Sequence, residues 1–175
     1  MQFSRAKKLY RLGGSTWLSS SSSSSCFRRT PRYRAPGSRM EAWMKAECQC
    51  GKLSVGLPGP TPAVVACHCV DCQRRSGSPF GVLAYYAADQ LTITGEAKRF
   101  VRPTASGGVF ESYFCPDCGS TVYVKVGKHP TLIGVAVGAI ADPAYPAPVR
   151  SVWEQSMHSW VVLPEEVQHF PQGRS

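Results

Sequence analysis

Residues 47–57 read ECQCGKLSVGL. Two thiols, Cys48 and Cys50, flank a single residue, and from Lys52 the chain alternates, with Leu53, Val55 and Leu57 on one face. A period of two sends successive side chains to opposite faces of a strand, so this stretch predicts a half-buried β-strand entered from a pair of cysteines. Working outward, GVFESYF at 108–114 alternates again. AVVAC at 63–67, FGVLAYYA at 80–87, QLTITG at 90–95, TVYVKVG at 121–127 and TLIGVAVGAI at 131–140 are further β-branched or aromatic runs. Gly, Pro and Asp punctuate them at short intervals, which is the pattern of an all-β body. The longest apolar run, LIGVAVGAIA at 132–141, fits a buried strand and is too short to cross a membrane. Between Pro148 and Pro164, Val149, Val152, Trp153, Trp160 and Val161 also fit a helical stripe. The Val, Trp and Ser content of that segment favours strand.

The net charge of +9 is unevenly spread. Residues 1–39 hold Arg5, Lys7, Lys8, Arg11, Arg28, Arg29, Arg32, Arg34 and Arg39 and no acid, so the remaining chain balances eleven basic against eleven acidic side chains. A neutral body argues against nucleic acid as a partner. The leader is rich in Ser and Arg and lacks the continuous apolar stretch of a secretory signal. Its composition is that of a mitochondrial or plastid transit peptide. The alternative is a disordered tail, or synthesis from Met40 or Met44, with a cytoplasmic protein as the result. The domain expectation is therefore a leader at 1–39 and one domain at 40–175.

Eight cysteines need a chemistry. Without a secretory signal they are expected to be reduced, where clustered thiols point to metal rather than disulfides. Cys26 falls in the leader, and seven remain: Cys48 and Cys50, then Cys67, Cys69 and Cys72 in CHCVDC, then Cys115 and Cys118 in CPDCG. On an extended chain, residues i and i+2 share a face about 6.5 Å apart, so modest bending brings two sulfurs onto one ion. The two-residue gap of CPDCG, with Pro after one thiol and Gly after the other, reads as a zinc knuckle. Seven divides into four and three: a structural zinc site is closed by four protein ligands, a catalytic one keeps three and an open position. Spacing leaves two partitions open. Cys48, Cys50, Cys115 and Cys118 could close one site, or Cys69 and Cys72 could join Cys115 and Cys118 in an elongated ribbon.

ECQCGKL, ACHCVDCQRRSGSPF, SYFCPDCGSTVY, GVAVGAIADP and HSWVVLPEEVQHF, in that order over residues 47–170, resemble the family of glutathione-dependent formaldehyde-activating enzymes, which includes centromere protein V. The resemblance implies a β-tent of packed antiparallel sheets with two zinc ions, one structural and one catalytic. It implies Cys48, Cys50, Cys115 and Cys118 as structural ligands and Cys67, Cys69 and Cys72 as catalytic ones. The chain departs from the family pattern in GAIADP, where Ala141 stands at the first of two acidic positions.

Three thiolates give a zinc ion a formal charge of minus one, which makes it a poor activator of water. A soft metal with soft ligands accepts a fourth sulfur and deprotonates a thiol whose free pKa is about 8.5. The thiol implied by the resemblance is glutathione, and the reaction is its addition to formaldehyde to give S-(hydroxymethyl)glutathione, the work of a carbon–sulfur lyase. The alternative is a zinc-stabilised glutathione-binding or scaffold domain without turnover. Arg74 and Arg75 follow the last cysteine of the triplet and could pair with a glutathione carboxylate, since guanidinium matches carboxylate in a bidentate fork. His68 is expected to pack or hydrogen-bond rather than ligate. His158 and His169 carry no assigned role, and Trp153 and Trp160 are expected in the core.

Overall fold

The computed structural model describes residues 44–105 and 107–173. The leader read at 1–39 lies outside the described residues. The chain runs through β1 (Met44–Glu47), β2 (Ser54–Leu57), β3 (Val64–Cys67), α1 (Val70–Ser76), β4 (Gly81–Ala87), β5 (Thr92–Thr94) and β6 (Lys98–Pro103). It continues through β7 (Val109–Phe114), β8 (Thr121–Val126), β9 (Leu132–Ala136), α2 (Val137–Ile140), β10 (Arg150–Val152) and β11 (Gln168–Phe170).

Among the described residues the strands form two sheets. One has three strands in the order β1-β2-β5, and the other has eight in the order β11-β10-β3-β4-β9-β8-β7-β6. The three-stranded sheet is antiparallel throughout. The large sheet is antiparallel from β3 to β6, but β10 lies parallel to both β3 and β11, so it is mixed rather than wholly antiparallel.

The alternation at Leu53, Val55 and Leu57 is the inner face of β2 and the turn before it, and all three side chains are fully buried. They pack with Ala46 of β1 and with Val64, Ala84, Val122 and Val135 of the large sheet in one apolar cluster. Each Leu or Val side chain taken fully out of water contributes about 1.5–3 kcal/mol, so this cluster holds the two sheets together.

Four sequence expectations change. The body is mainly β but not all-β, because α1 interrupts the cysteine triplet. The run at 132–141 is a strand only as far as Ala136, after which α2 takes over. Between Pro148 and Pro164, β10 covers three residues and stops where Trp153 turns to the left-handed region at φ 61°, followed by a 3₁₀ turn at Glu154–Ser156. Trp160 is 66% exposed rather than in the core.

Candidate metal centres and the cavity beside them

The first group of thiols is built by two facing turns. After β1 the chain reverses through Cys48–Lys52, where Gly51 adopts φ 77° and donates its N–H to Cys48 O at 2.9 Å. Leu53 N–H donates to Cys48 Sγ at 3.2 Å. Between β7 and β8 the second turn closes with Gly119 N–H on Cys115 O at 3.0 Å, and Gly119 takes the left-handed φ of 73° that a tight reversal demands. The turns bring Cys48 Sγ to 3.5 Å from Cys50 Sγ, and Cys50 Sγ to 3.5 Å from Cys115 Sγ. All four sulfurs, Cys118 included, lie within 4.8 Å of one another. A tetrahedral ion with Zn–S bonds of about 2.3 Å has sulfur–sulfur edges of about 3.8 Å, so the donor set suits zinc. Cys118 is lowered to about 5, chiefly by its hydrogen bond with the Ser120 hydroxyl.

The second group sits where β3 hands over to α1. Cys67 ends the strand, Cys69 is the N-cap of the helix, and Cys72 lies in its first turn, with its N–H on Cys69 Sγ at 3.4 Å. Their sulfurs also lie within 4.8 Å of one another, and among the described residues no fourth Cys, His, Asp or Glu donor joins them. The three thiols cannot all ionise unaided. Cys69 is held well below the ordinary thiol range by hydrogen bonds from Cys67 and Cys72, while Cys67 is driven far up by Cys69, by Cys72 and by burial. Cys72 is raised as well: Cys67 lowers it, but Cys69 and burial outweigh that. A bound cation removes this conflict, so the triplet too fits a soft metal. The cysteines are thus gathered as four and three, and Cys69 and Cys72 do not join Cys115 and Cys118.

His68 is not among the donors gathered with the triplet. It is fully buried, its Nε2 is 3.1 Å from Ser151 Oγ, its Nδ1 has no partner, and its ring leans on Phe80 with centroids 5.4 Å apart. Burial lowers its pKa, so the ring is neutral. Its backbone is gripped by groups the sequence did not reveal. His68 O accepts from Gln73 Nε2 at 2.7 Å and from Ser156 Oγ at 2.9 Å, and His68 N–H donates to Val152 O at 3.0 Å. Gln73 is steadied in turn by His158, whose Nε2 donates to Gln73 Oε1 at 3.1 Å. His169 is paired with Glu154 at 2.6 Å and belongs to neither thiol group.

Arg74 is exposed. Arg75 turns back over β4, its Nη2 against Gly81, where the Cys72 Cβ also approaches. Its Nε is buried without a hydrogen-bond partner. Beyond it opens a cavity of about 630 Å³, walled by Arg75, Ser78, Phe80, Thr121, Val137 and Ala141 among others, with Cys48 of the four-thiol group also on its wall. A second arginine near the triplet, Arg102, was not anticipated. It is 3.0 Å from Asp71, lies 4.7 Å over the Phe110 ring, and helps to lower Cys69. It comes from β6, whose pattern carries no hint of the site.

The sequence profile of the glutathione-dependent formaldehyde-activating enzymes matches residues 43–156, which include all seven of these cysteines. A Penicillium rubens protein, by name a candidate glutathione-dependent formaldehyde-activating enzyme, is 25% identical over 133 residues, spanning 70% of this chain and 69% of its own. An uncharacterised lyase of Schizosaccharomyces pombe is 28% identical over 91 residues, spanning 51% of this chain and 64% of its own. A crystal structure of a Rhodobacter sphaeroides protein, 23% identical, overlaps 55% of this chain and 86% of its own length with a TM-score of 0.44. With the profile covering most of the sequence and both thiol groups, this chain belongs to the family of glutathione-dependent formaldehyde-activating enzymes.

Proposed function

We propose that the protein is a zinc-dependent carbon–sulfur lyase that joins glutathione to formaldehyde as S-(hydroxymethyl)glutathione and splits it in reverse. The observation that carries this reading is the unclosed triplet of Cys67, Cys69 and Cys72: three convergent thiols with no fourth donor from the described chain. The names borne by the two fungal relatives support it. In this reading Cys48, Cys50, Cys115 and Cys118 hold a structural zinc and the triplet a catalytic one.

A zinc ion held by the triplet would supply a Lewis acid that lowers the pKa of a substrate thiol. The chain does the rest. Cys67, Cys69 and Cys72 would hold the ion through their three sulfurs. Gln73, Ser156 and the Val152 carbonyl fix the His68 backbone between two of those thiols, so that the sulfurs hold their geometry before substrate arrives. Arg75, beside the triplet, attracts a glutathione carboxylate. In the reaction the sulfur lone pair forms the bond to the formaldehyde carbon, the carbonyl π pair moves to oxygen, and the thiol proton ends on that oxygen. The balanced product is the hemithioacetal.

Because thiols add to formaldehyde unaided, the decisive measurement is the exchange rate between glutathione and formaldehyde with and without protein. Wild type is expected to accelerate exchange and Cys67→Ala to return it to the uncatalysed rate while the fold persists. Equal exchange by the two would leave a binding domain without turnover.

A further inference from the structure

One face of the large sheet carries both the triplet and a phenol. Cys67 pairs with Gly81 across β3 and β4, and Gly81, Leu83 and Tyr85 follow one another on that face at a period of two. A Cβ at Gly81 would lie 3.5 Å from Cys72 Cβ, so α1 covers the same face. From the far edge of the sheet, Arg102 of β6 reaches Asp71 of α1 at 3.0 Å, so the sheet curls back and encloses the space beneath the helix. A second apolar cluster floors that space: Leu83, Phe110 and Val124, with Tyr85, Val126 and Ala136 packed against it. The Tyr85 ring is seated over Gly134 of β9, where a Cβ would come 3.1 Å from the ring and 2.9 Å from Val124. Its hydroxyl makes no hydrogen bond among the described residues, whereas the Tyr86 hydroxyl serves Gly59 O and Tyr145, and that of Tyr113 serves Glu111. Burial pushes Tyr85 up to about 12, helped by Cys72 and Cys67, whose sulfurs therefore lie within electrostatic reach of the phenol. Near neutral pH it is a proton donor. Tyr85 also lines an open cleft of about 390 Å³ with Pro60, Pro62 and Gln90, which gives water a path to it.

We propose that Tyr85 is a catalytic residue of the addition, its hydroxyl donating to the formaldehyde oxygen, and that Gly134 seats its ring for that task. The inference rests on the lyase reading of the triplet. As the sulfur lone pair forms the bond to carbon, the carbonyl π pair moves to oxygen, and that oxygen takes the Tyr85 proton. The thiol proton passes to water, and water from the cleft returns one to the phenolate. The net transfer is that of one proton from sulfur to oxygen, and Tyr85 ends as it began. A donor fixed where charge develops acts without having to reorganise, which is the source of its advantage over water.

Steady-state kinetics of glutathione–formaldehyde exchange on the zinc-loaded full chain test this, with zinc content, melting temperature and calorimetric glutathione binding measured on each variant. Tyr85→Phe keeps the ring and removes only the donor. It is expected to lower kcat about 100-fold or more, the usual share of a positioned proton donor, with KM for glutathione, glutathione binding, zinc content and melting temperature as in wild type. Gly134→Ala should also lower kcat, because the hydroxyl is present but its ring is displaced. Tyr123→Phe, on the opposite face of the sheet in the main core, should exchange like wild type. A Tyr85→Phe rate equal to wild type, an equal loss with Tyr123→Phe, or a loss that falls on KM, zinc content or melting temperature instead of kcat would overturn the role of Tyr85. In each of those cases wild type still accelerates exchange and the lyase reading stands. A wild type no faster than the uncatalysed reaction removes both.

Discussion

Gln73 follows the last thiol of the triplet, and its amide nitrogen serves two carbonyls at once, His68 O at 2.7 Å and Ser156 O at 2.9 Å. The first of these belongs to the residue between Cys67 and Cys69, so any slack in it moves two of three candidate ligands. Groups that orient a metal's ligands typically change affinity by about 10- to 100-fold when removed. Gln73→Ala is therefore expected to weaken metal retention at the triplet about tenfold, while the four-thiol group keeps its ion. A chelator titration that follows release of the two ions separately reads this. A merely structural role would instead lower the melting temperature and leave the order and affinity of release unchanged. Gln73 was not legible beforehand, because its partner Ser156 is 83 residues away and the contact exists only after β10 has paired with β3. The cysteines were legible because ligand spacing is local.

At the scale of elements, the turn that carries Cys48 and Cys50 depends on a glycine in another strand's loop. Gly95, just after β5, has φ 97°, and a Cβ there would collide with the Lys52 carbonyl oxygen. Both partners are backbone, so neither can swing aside. Gly95→Ala is expected to cost more than about 2 kcal/mol and to lower the melting temperature by roughly 5 °C or more. Gly51→Ala meets nothing within 4 Å and suffers only the cost of its positive φ, so it should melt closer to wild type. Thermal denaturation followed by circular dichroism distinguishes the two. Elements with one apolar face announced themselves: the apolar positions leading through β2 alternate and Phe110 and Ser112 of β7 are its buried side, whereas β8 buries Val122, Tyr123 and Val124 in succession and showed itself by its β-branched and aromatic run. β6 did not, since five of its six residues are exposed at the open edge of the sheet and no pattern is imposed on them. α1 was missed for a different reason. It is seven residues long, too short for a helical period to show, and its N-cap is a cysteine rather than Ser, Thr, Asp or Asn.

For the whole molecule, the two thiol groups differ in what they tie together. Cys48 and Cys50 follow β1 in the small sheet, whereas Cys115 and Cys118 lie between β7 and β8 in the large one. A metal joining Cys50 to Cys115 closes a loop between residues 65 positions apart and fastens sheet to sheet. Closing a loop of that length restricts the unfolded chain by about 4 kcal/mol, a large share of the roughly 5–15 kcal/mol that stabilises a typical domain. The triplet spans only Cys67 to Cys72, so its metal closes no long loop and joins no two sheets. Cys118→Ser is accordingly expected to abolish the cooperative unfolding transition at 25 °C or shift it far down, whereas Cys72→Ser should keep the transition and reduce bound zinc from about two ions per chain to about one. Metal analysis of each purified variant, paired with a thermal melt, reads both quantities on one sample. If both variants melt alike, the division into a fastening site and a working site is wrong, because the same loss of one thiolate would then have the same consequence on either side of the core.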